Sequence, residues 1–546
     1  MRGSGPNRGL FGWLRRACPS VSEIAAWARR DGHVLLAIAG SVAFMIVRPP
    51  VADLQAADAR AAAAGRGVGL SYWLSWYSGS TPGNYSVLAP RLTAIFGVTT
   101  CAALSVVVMA LLARPLLAGA RRADGAAYLL VVSALANLWC GRVPLSMGAA
   151  FALGGLLVFR RRRPWLGGAL AGVSALFSPL APVGLVLGMS GLALTRPARR
   201  GELARFLLPM AVGLAVPAVA FGVPGPMSFP ATTLAWTVGI LGLAVCLPAP
   251  RQVRVSLAVA VLAACALFLI PNGVGANVSR YAYLVAPPSI WALARAKARV
   301  VAFALAPAIA YCLFNVVTDQ INATHPAAQE SFYQGLRTEL LAQPGIANHR
   351  VEVVDTATHR AAAALVPGVY LARGWEDQSD AAANPIFYQA GALTAVNYRQ
   401  WLDSSAVAWV AVPSAPANQY LAEAQLVTDG LSYLREVWRN DDWRLFTVAD
   451  PQPIVSAPAR LVSADETSLV VDVPISATVT FRLRPSRYLQ LIGPGAPPVQ
   501  PCLTSVDLGA GPGLTAAAVQ AWIQLPGRYR LEAPFTMAGL LGGACS

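Results

Sequence analysis

This sequence is poor in charge. Asp, Glu, Lys and Arg make up only 12% of its 546 residues, against 56% hydrophobic residues and a mean hydropathy of +0.52. A soluble chain carries about 25% charged residues, so a water-soluble globular enzyme is excluded. Lysine is almost missing, with Lys297 the single example, and histidine occurs four times. No Walker loop, dinucleotide fingerprint, zinc-type spacing or serine-hydrolase elbow is present. Their absence argues against ATP-driven transport by this chain alone.

Acid is scarcest where the chain is greasiest. Residues 1–317 hold 28 basic and 6 acidic residues, a net +22, whereas residues 318–546 hold 14 Arg and 20 acids, a net −6. The total of +16 is therefore no nucleic-acid footprint, which would need basic residues clustered with aromatics on one folded face. Arginines gathered between apolar runs are instead the mark of cytoplasmic loops. With abundant Ala, Gly and Pro, the bias to Arg over Lys points to a high-GC bacterial genome.

Runs such as HVLLAIAGSVAFMIV and LAVAVLAACALFLI approach the roughly 20 apolar residues that cross a bilayer. The arginine clusters at 15–30, 114–122, 160–163, 196–205, 251–254 and 295–299 are assigned to the cytoplasm. Spans then fall near 34–48, 92–113, 125–140, 144–159, 165–180, 182–195, 206–222, 229–248, 253–270, 281–294 and 300–317. The expected architecture is a cytoplasmic segment (1–33), then a membrane domain of about 11 helices (34–317) with a long first outer loop at 49–91. The first run is a retained span, since no small-residue cleavage site follows it. The N-terminus lies in the cytoplasm and everything after residue 318 outside the cytoplasmic membrane.

The tail mixes helical text (AAQESFYQGLRTELLAQ) with strand text (AVAWVAVP, DWRLFTV), which predicts an exported α/β domain over 318–455. From 456 to 546 the period-two stretches SLVVDVPI, ATVTFRLRP and GRYRLEAP predict a small β-sandwich. Only Cys502 and Cys545 occur in the tail. In an exported domain such a pair reads as a disulfide, with two free thiols as the alternative.

Within 1–317 the acids are Glu23, Asp31, Asp53, Asp58, Asp124 and Glu202. Four fall among cytoplasmic arginines. Asp53 and Asp58 alone fall outside, at the start of the first outer loop. A carboxylate there can act as general base, metal ligand or helix N-terminal charge. The two are five apart, about 140° around an ideal helix, so one catalytic acid is expected rather than a dyad. Outer arginines are few, and Arg142 and Arg280 lie at span ends, at headgroup depth. Snorkelling from a helix end is their alternative explanation.

The loop text DLQAADAR…YWLSWYSGSTPGNYSVLAPRL, with GRVPLSMG, PNGVGANVSRY, ARGWEDQSDAAANPIFY and YRQWLDSSAVAWVAVP, resembles the GT-C superfamily of integral-membrane glycosyltransferases. Within it the text is similar to the actinobacterial 6-pyruvoyl-tetrahydropterin-synthase-related membrane protein group. The resemblance implies transfer of a sugar, with inversion, from a polyprenyl-phosphate donor to an envelope glycan or glycolipid on the outer face. It implies that Asp53 is the base, with Asp58 the second catalytic candidate; Arg142 and Arg280, at span ends, are the candidates for the departing phosphate, and Asn277 is a further substrate-binding candidate. Trp76, Tyr77 and Tyr85 are candidate sugar platforms, or an interfacial aromatic belt. Trp375 and Glu376 are candidates for the acceptor, or a solvated loop. No cofactor and no metal are expected, although a divalent cation stays open because many GT-C members use one. The competing readings are a transporter or flippase of lipid-linked glycans and a non-catalytic envelope scaffold, for which Asp53 is dispensable.

Overall fold

A computed structural model describes residues 21–495, 498–509, 513–515 and 517–542, with backbone alone for 21–30. The membrane domain runs α1 (Val21–Val47), α2 (Ala52–Gly65), α3 (Ala89–Phe96), α4 (Val98–Leu117), α5 (Ala123–Trp139), α6 (Val143–Arg160) and α7 (Pro164–Phe177). It continues with α8 (Leu180–Thr195), α9 (Arg200–Phe221), α10 (Ala231–Val245), α11 (Arg251–Leu269), α12 (Ala286–Leu293) and α13 (Ala298–Thr324). Five of its helical stretches are long and apolar enough to cross a membrane: Val98–Leu117, Val143–Arg160, Pro197–Phe221, Arg251–Leu269 and Ala298–Thr324. Four more are apolar but shorter: Ala123–Trp139, Pro164–Phe177, Leu180–Thr195 and Ala231–Val245. This is a multi-pass membrane protein.

Small residues set the helix spacing. A Cβ on Gly168 would meet the Phe206 carbonyl, and one on Gly213 would meet Gly172, so α7 and α9 approach backbone to backbone. That is the close packing small residues permit where lipid supplies no hydrophobic drive between helices.

Three details depart from the sequence expectation. The chain bends by 72° between α1 and the short helix α2, at Arg-Pro-Pro, so the 49–91 loop begins as a helix set at a steep angle to α1. The span expected near 281–294 is not one regular α-helix, and Pro287 and Pro288 fall inside it. They sit in the first turn of α12, where a missing N–H is harmless, directly after a π-helical turn at Tyr281–Val285. The last long helix continues to Thr324, beyond the boundary expected at 318.

The tail carries α14 (Glu330–Ala342), α15 (Ala361–Leu365), α16 (Asp377–Ala383), α17 (Ala395–Ser404) and α18 (Leu421–Thr428) around a four-stranded sheet. Its strands are β1 (Arg350–Val353), β2 (Val407–Pro413), β3 (Leu434–Arg439) and β4 (Trp443–Val448), ordered β1-β2-β4-β3, with β1 parallel to β2 and the rest antiparallel. The all-apolar VAWVAVP of β2 is buried along its whole length, as a central strand requires. After it come β5 (Arg460–Ala464), β6 (Ser468–Val473), β7 (Ala477–Phe481), β8 (Gln490–Ile492), β9 (Thr504–Asp507), β10 (Ala517–Ile523), β11 (Gly527–Glu532) and the short helix α19 (Met537–Leu541). They form two antiparallel sheets, β5-β6-β11-β8 and β7-β10-β9. Cys502 is disulfide-bonded; Cys545 lies outside the described residues.

The 49–91 loop is built into the tail. Trp73, Trp76 and Tyr77 share a core with Phe332, Tyr333, Trp409 and Trp443, while Tyr72 and Leu74 enter the sandwich core beside Val471, Phe481 and Leu531. Polar contacts lock the junction. Arg66 and the Trp73 indole donate to Glu466 at 2.6 and 3.1 Å, and Arg484 donates to the Tyr77 carbonyl at 2.7 Å.

Candidate active site

The bend after α1 places Asp53 in the first turn of α2, where a carboxylate meets the positive end of the helix dipole. Opposite it, Gly141 takes φ +76° in the α5–α6 turn, a backbone conformation only glycine adopts freely. That turn sets Arg142 against α2, with its Nε donating to Asp53 Oδ2 at 3.3 Å and its Nη1 donating to the Tyr283 hydroxyl at 3.1 Å. The Arg142 side chain is 10% exposed and that of Asp53 26%. The carboxylate therefore keeps open surface while its cation is nearly enclosed.

A third group joins them from the last helix. Asp319 lies within electrostatic reach of Cys140, Arg142, Asp53 and Arg280. Sequence reading missed it, because the domain boundary at 318 assigned it to the tail's pool of solvated acids.

Behind this cluster, an apolar cavity of about 630 Å³ extends through the bundle. Asn137, Asn277 and Arg280 line it at the tail-facing end, and Arg160 and Arg199 at the other. Asn137 is buried and donates to Ser146, but its Oδ1 has no hydrogen-bond partner. The cavity thus offers a long apolar body with one cation and two amides at one end. That is the complement of an amphiphile with an anionic head.

The tail roofs the cluster. Arg360 donates to Gln55 at 2.8 Å, Arg60 pairs with Glu376 at 2.6 Å, and Gln378 donates to the Gly273 carbonyl at 3.4 Å. Asp377 lies between those last two anchors along the chain, in the first turn of α16. Burial holds its carboxyl above the usual carboxylate range; His359 pulls it down, while Asp380 and Asp53 push it further up.

The structure sorts the candidates named from sequence. Asp53, Arg142, Arg280 and Asn277 gather at the tail-facing end of the bundle. Asp58 points elsewhere and pairs with Arg48 at 3.0 Å. Trp76 and Tyr77 are 3% and 1% exposed inside the loop–tail core, with Gly374 packed on the Trp76 indole, so neither presents a face to a sugar. Tyr85 is half-buried, with the Arg60 guanidinium 4.0 Å over its ring. Trp375 stacks on His359 at 4.6 Å, and Glu376 is the counter-ion of Arg60. Among the described residues no cluster of three or more His, Cys, Asp or Glu has the geometry to hold a metal ion.

No protein-family model matches this chain, and no curated protein matches it. Among solved structures, ArnT from Cupriavidus metallidurans bound to undecaprenyl phosphate is similar at 11% identity. That match covers 77% of this chain and 99% of the other, with a TM-score of 0.43, too low to fix the fold.

Proposed function

We propose that this protein is a GT-C-type glycosyltransferase, which moves a sugar from a polyprenyl-phosphate donor to an envelope glycan or glycolipid at the outer face of a bacterial cytoplasmic membrane. The observation that carries the reading is the apolar cavity with Arg280, Asn277 and Asn137 at the end where Asp53 sits. The cavity takes the lipid body. Arg280 and Arg142 stabilise the phosphate as it departs. Asp53 removes the acceptor hydroxyl proton while that oxygen attacks the anomeric carbon from the face opposite the phosphate, inverting it. In this reading the five long helices, the four shorter ones, the first helix and the 281–293 segment make eleven crossings, with the tail outside.

The test is transfer from a labelled polyprenyl-phosphate sugar by purified protein and by Asp53→Asn, over a panel of envelope glycan acceptors. Transfer by the parent and a loss of roughly 100-fold or more in the variant, with donor binding retained, is expected for a missing general base. Movement of a lipid-linked glycan across vesicles, with no transfer, would replace the enzyme by a flippase. Equal transfer by both proteins would remove Asp53 from the chemistry.

A further inference from the structure

Cations stand at both ends of the apolar cavity, and only one of those ends lies by Asp53. Along α6 the cavity is lined from Leu145 to Arg160, and along α8 from Leu180 to Leu192, so it follows both helices nearly from end to end. The α6 stretch measures about 22 Å at the rise of an α-helix. Over that length, 630 Å³ gives a mean cross-section of about 29 Å². That is a bore for one hydrocarbon chain. Midway along α8, Gly188 lines it, and a Cβ added there would meet nothing within 4 Å.

The end remote from the tail is strongly basic. Residues 160–163 are four arginines, and the stretch 196–205 adds four more against the single acid Glu202. Glu202 is already shared, accepting from Arg199 at 2.8 Å and from Arg162 at 3.5 Å. Among the described residues Arg160 has no carboxylate partner. Its Nη2 donates to the Ala118 carbonyl at 2.9 Å, in the turn between α4 and α5 that also lines the cavity. The Arg199 guanidinium lies 5.3 Å from the centre of the Phe159 ring, and both residues line the cavity. Snorkelling alone would carry such side chains away from an apolar interior into water. Here a carbonyl and a ring hold them at its wall.

We propose that this remote end is a second anion site, which holds the phosphate of a membrane lipid whose chain lies in the bore. Arg160 supplies the unpaired charge and Arg199 flanks it. A guanidinium fixed by one nitrogen still presents its remaining N–H groups to phosphate oxygens, in the planar geometry that phosphate accepts best. Basic pockets between transmembrane helices are where anionic lipid head groups are held. In the topology proposed for this chain, the site lies at the cytoplasmic leaflet, opposite the Asp53 end. Its occupation requires no glycosyl transfer. Two kinds of lipid carry the required chemistry, a polyprenyl phosphate and a diacyl phospholipid with an anionic head.

The test is photolabelling of the full-length protein in vesicles containing polyprenyl phosphate or phosphatidylglycerol with a diazirine beside the phosphate. Labelled peptides are then identified by mass spectrometry. Label is expected within 117–120 and 156–160. Arg160→Gln should lower it severalfold, and Arg160→Lys, which keeps the charge, should restore most of it. Gly188→Leu puts a side chain into the open bore and should lower it as well, whereas Gly154→Leu, off the cavity, leaves it unchanged. Label at this end from phosphatidylglycerol alone assigns the site to bulk phospholipid; label from polyprenyl phosphate assigns it to the carrier. No label from either lipid would overturn the proposal. So would label that Arg160→Gln and Gly188→Leu leave untouched, since that is lipid merely passing the helix ends. A protein labelled as expected that transfers no sugar loses the glycosyltransferase reading and keeps this site. One that transfers sugar without this label keeps that reading and loses the site.

Discussion

At the residue scale, the most demanding arrangement lies inside the tail. Arg373, 4% exposed, faces three buried carboxylates: Glu352 at 2.7 Å, Glu423 at 2.6 Å and Asp380 at 3.6 Å. One cation cannot neutralise three anions in a dry interior. Burial pushes the Glu352 carboxyl well above the usual range, Arg373 pulls against it, and Glu423 is raised for the same reason. A carboxyl with a raised folded-state pKa stabilises the fold while protonated, and the benefit fades as pH climbs towards that value. The unfolding temperature of the full chain should therefore fall as pH rises above about 4.5, the ordinary glutamate value. Glu352→Gln keeps a neutral partner and should flatten that slope, as tryptophan fluorescence melts would show. Arg373→Met leaves the carboxylates uncompensated and should cost about 3–5 kcal/mol. Asp53 was legible at this scale because acids are so few in the first 317 residues. His359 was not, since a histidine in VVDTATHR looks like any other until the fold brings Trp375 and Tyr420 to its ring.

At the scale of elements, the α5–α6 turn decides whether Arg142 reaches Asp53. A Cβ on Gly141 would lie 2.6 Å from the Leu54 amide nitrogen and 2.7 Å from Val51 Cγ2, on top of the strain at φ +76°. Gly141→Ala should push the turn off α2, lower transfer at least roughly tenfold, and destabilise the protein by about 1–3 kcal/mol. Kinetics beside a thermal melt separate the two effects. Gly154, whose added Cβ meets nothing within 4 Å, is the control. Helices were the legible part of the chain, since arginine clusters bracket apolar runs. Their ends were less so. Asp319 was lost to the tail because a hydropathy pattern fades gradually where a helix leaves lipid, although the helix itself continues to Thr324.

At the scale of the whole molecule, the loop and tail are one structure. Leu74 is fully buried in the sandwich core, and its amide donates to the Glu466 carbonyl at 3.0 Å. Leu74→Ala should cost about 2–5 kcal/mol. The loss should surface as faster amide exchange in Ser468–Val473 and Gly527–Glu532, not in the helices after the loop. YWLSWY was ambiguous in sequence because an aromatic run beside a membrane suits a lipid belt, a sugar platform or a core equally. Only partners hundreds of residues away settle the choice.

That distance has a consequence for biosynthesis. Trp73 and Glu466 are 393 residues apart, and Ser71 reaches the Ala533 carbonyl across 462. At about 5–20 residues per second, the ribosome makes the loop roughly 20–80 s before its partner exists. Throughout that interval two tryptophans and two tyrosines wait at the membrane surface without a core. The core around that loop closes only after the final strands have been delivered, so a stalled or shortened chain yields a membrane bundle whose 71–77 segment has never been seated.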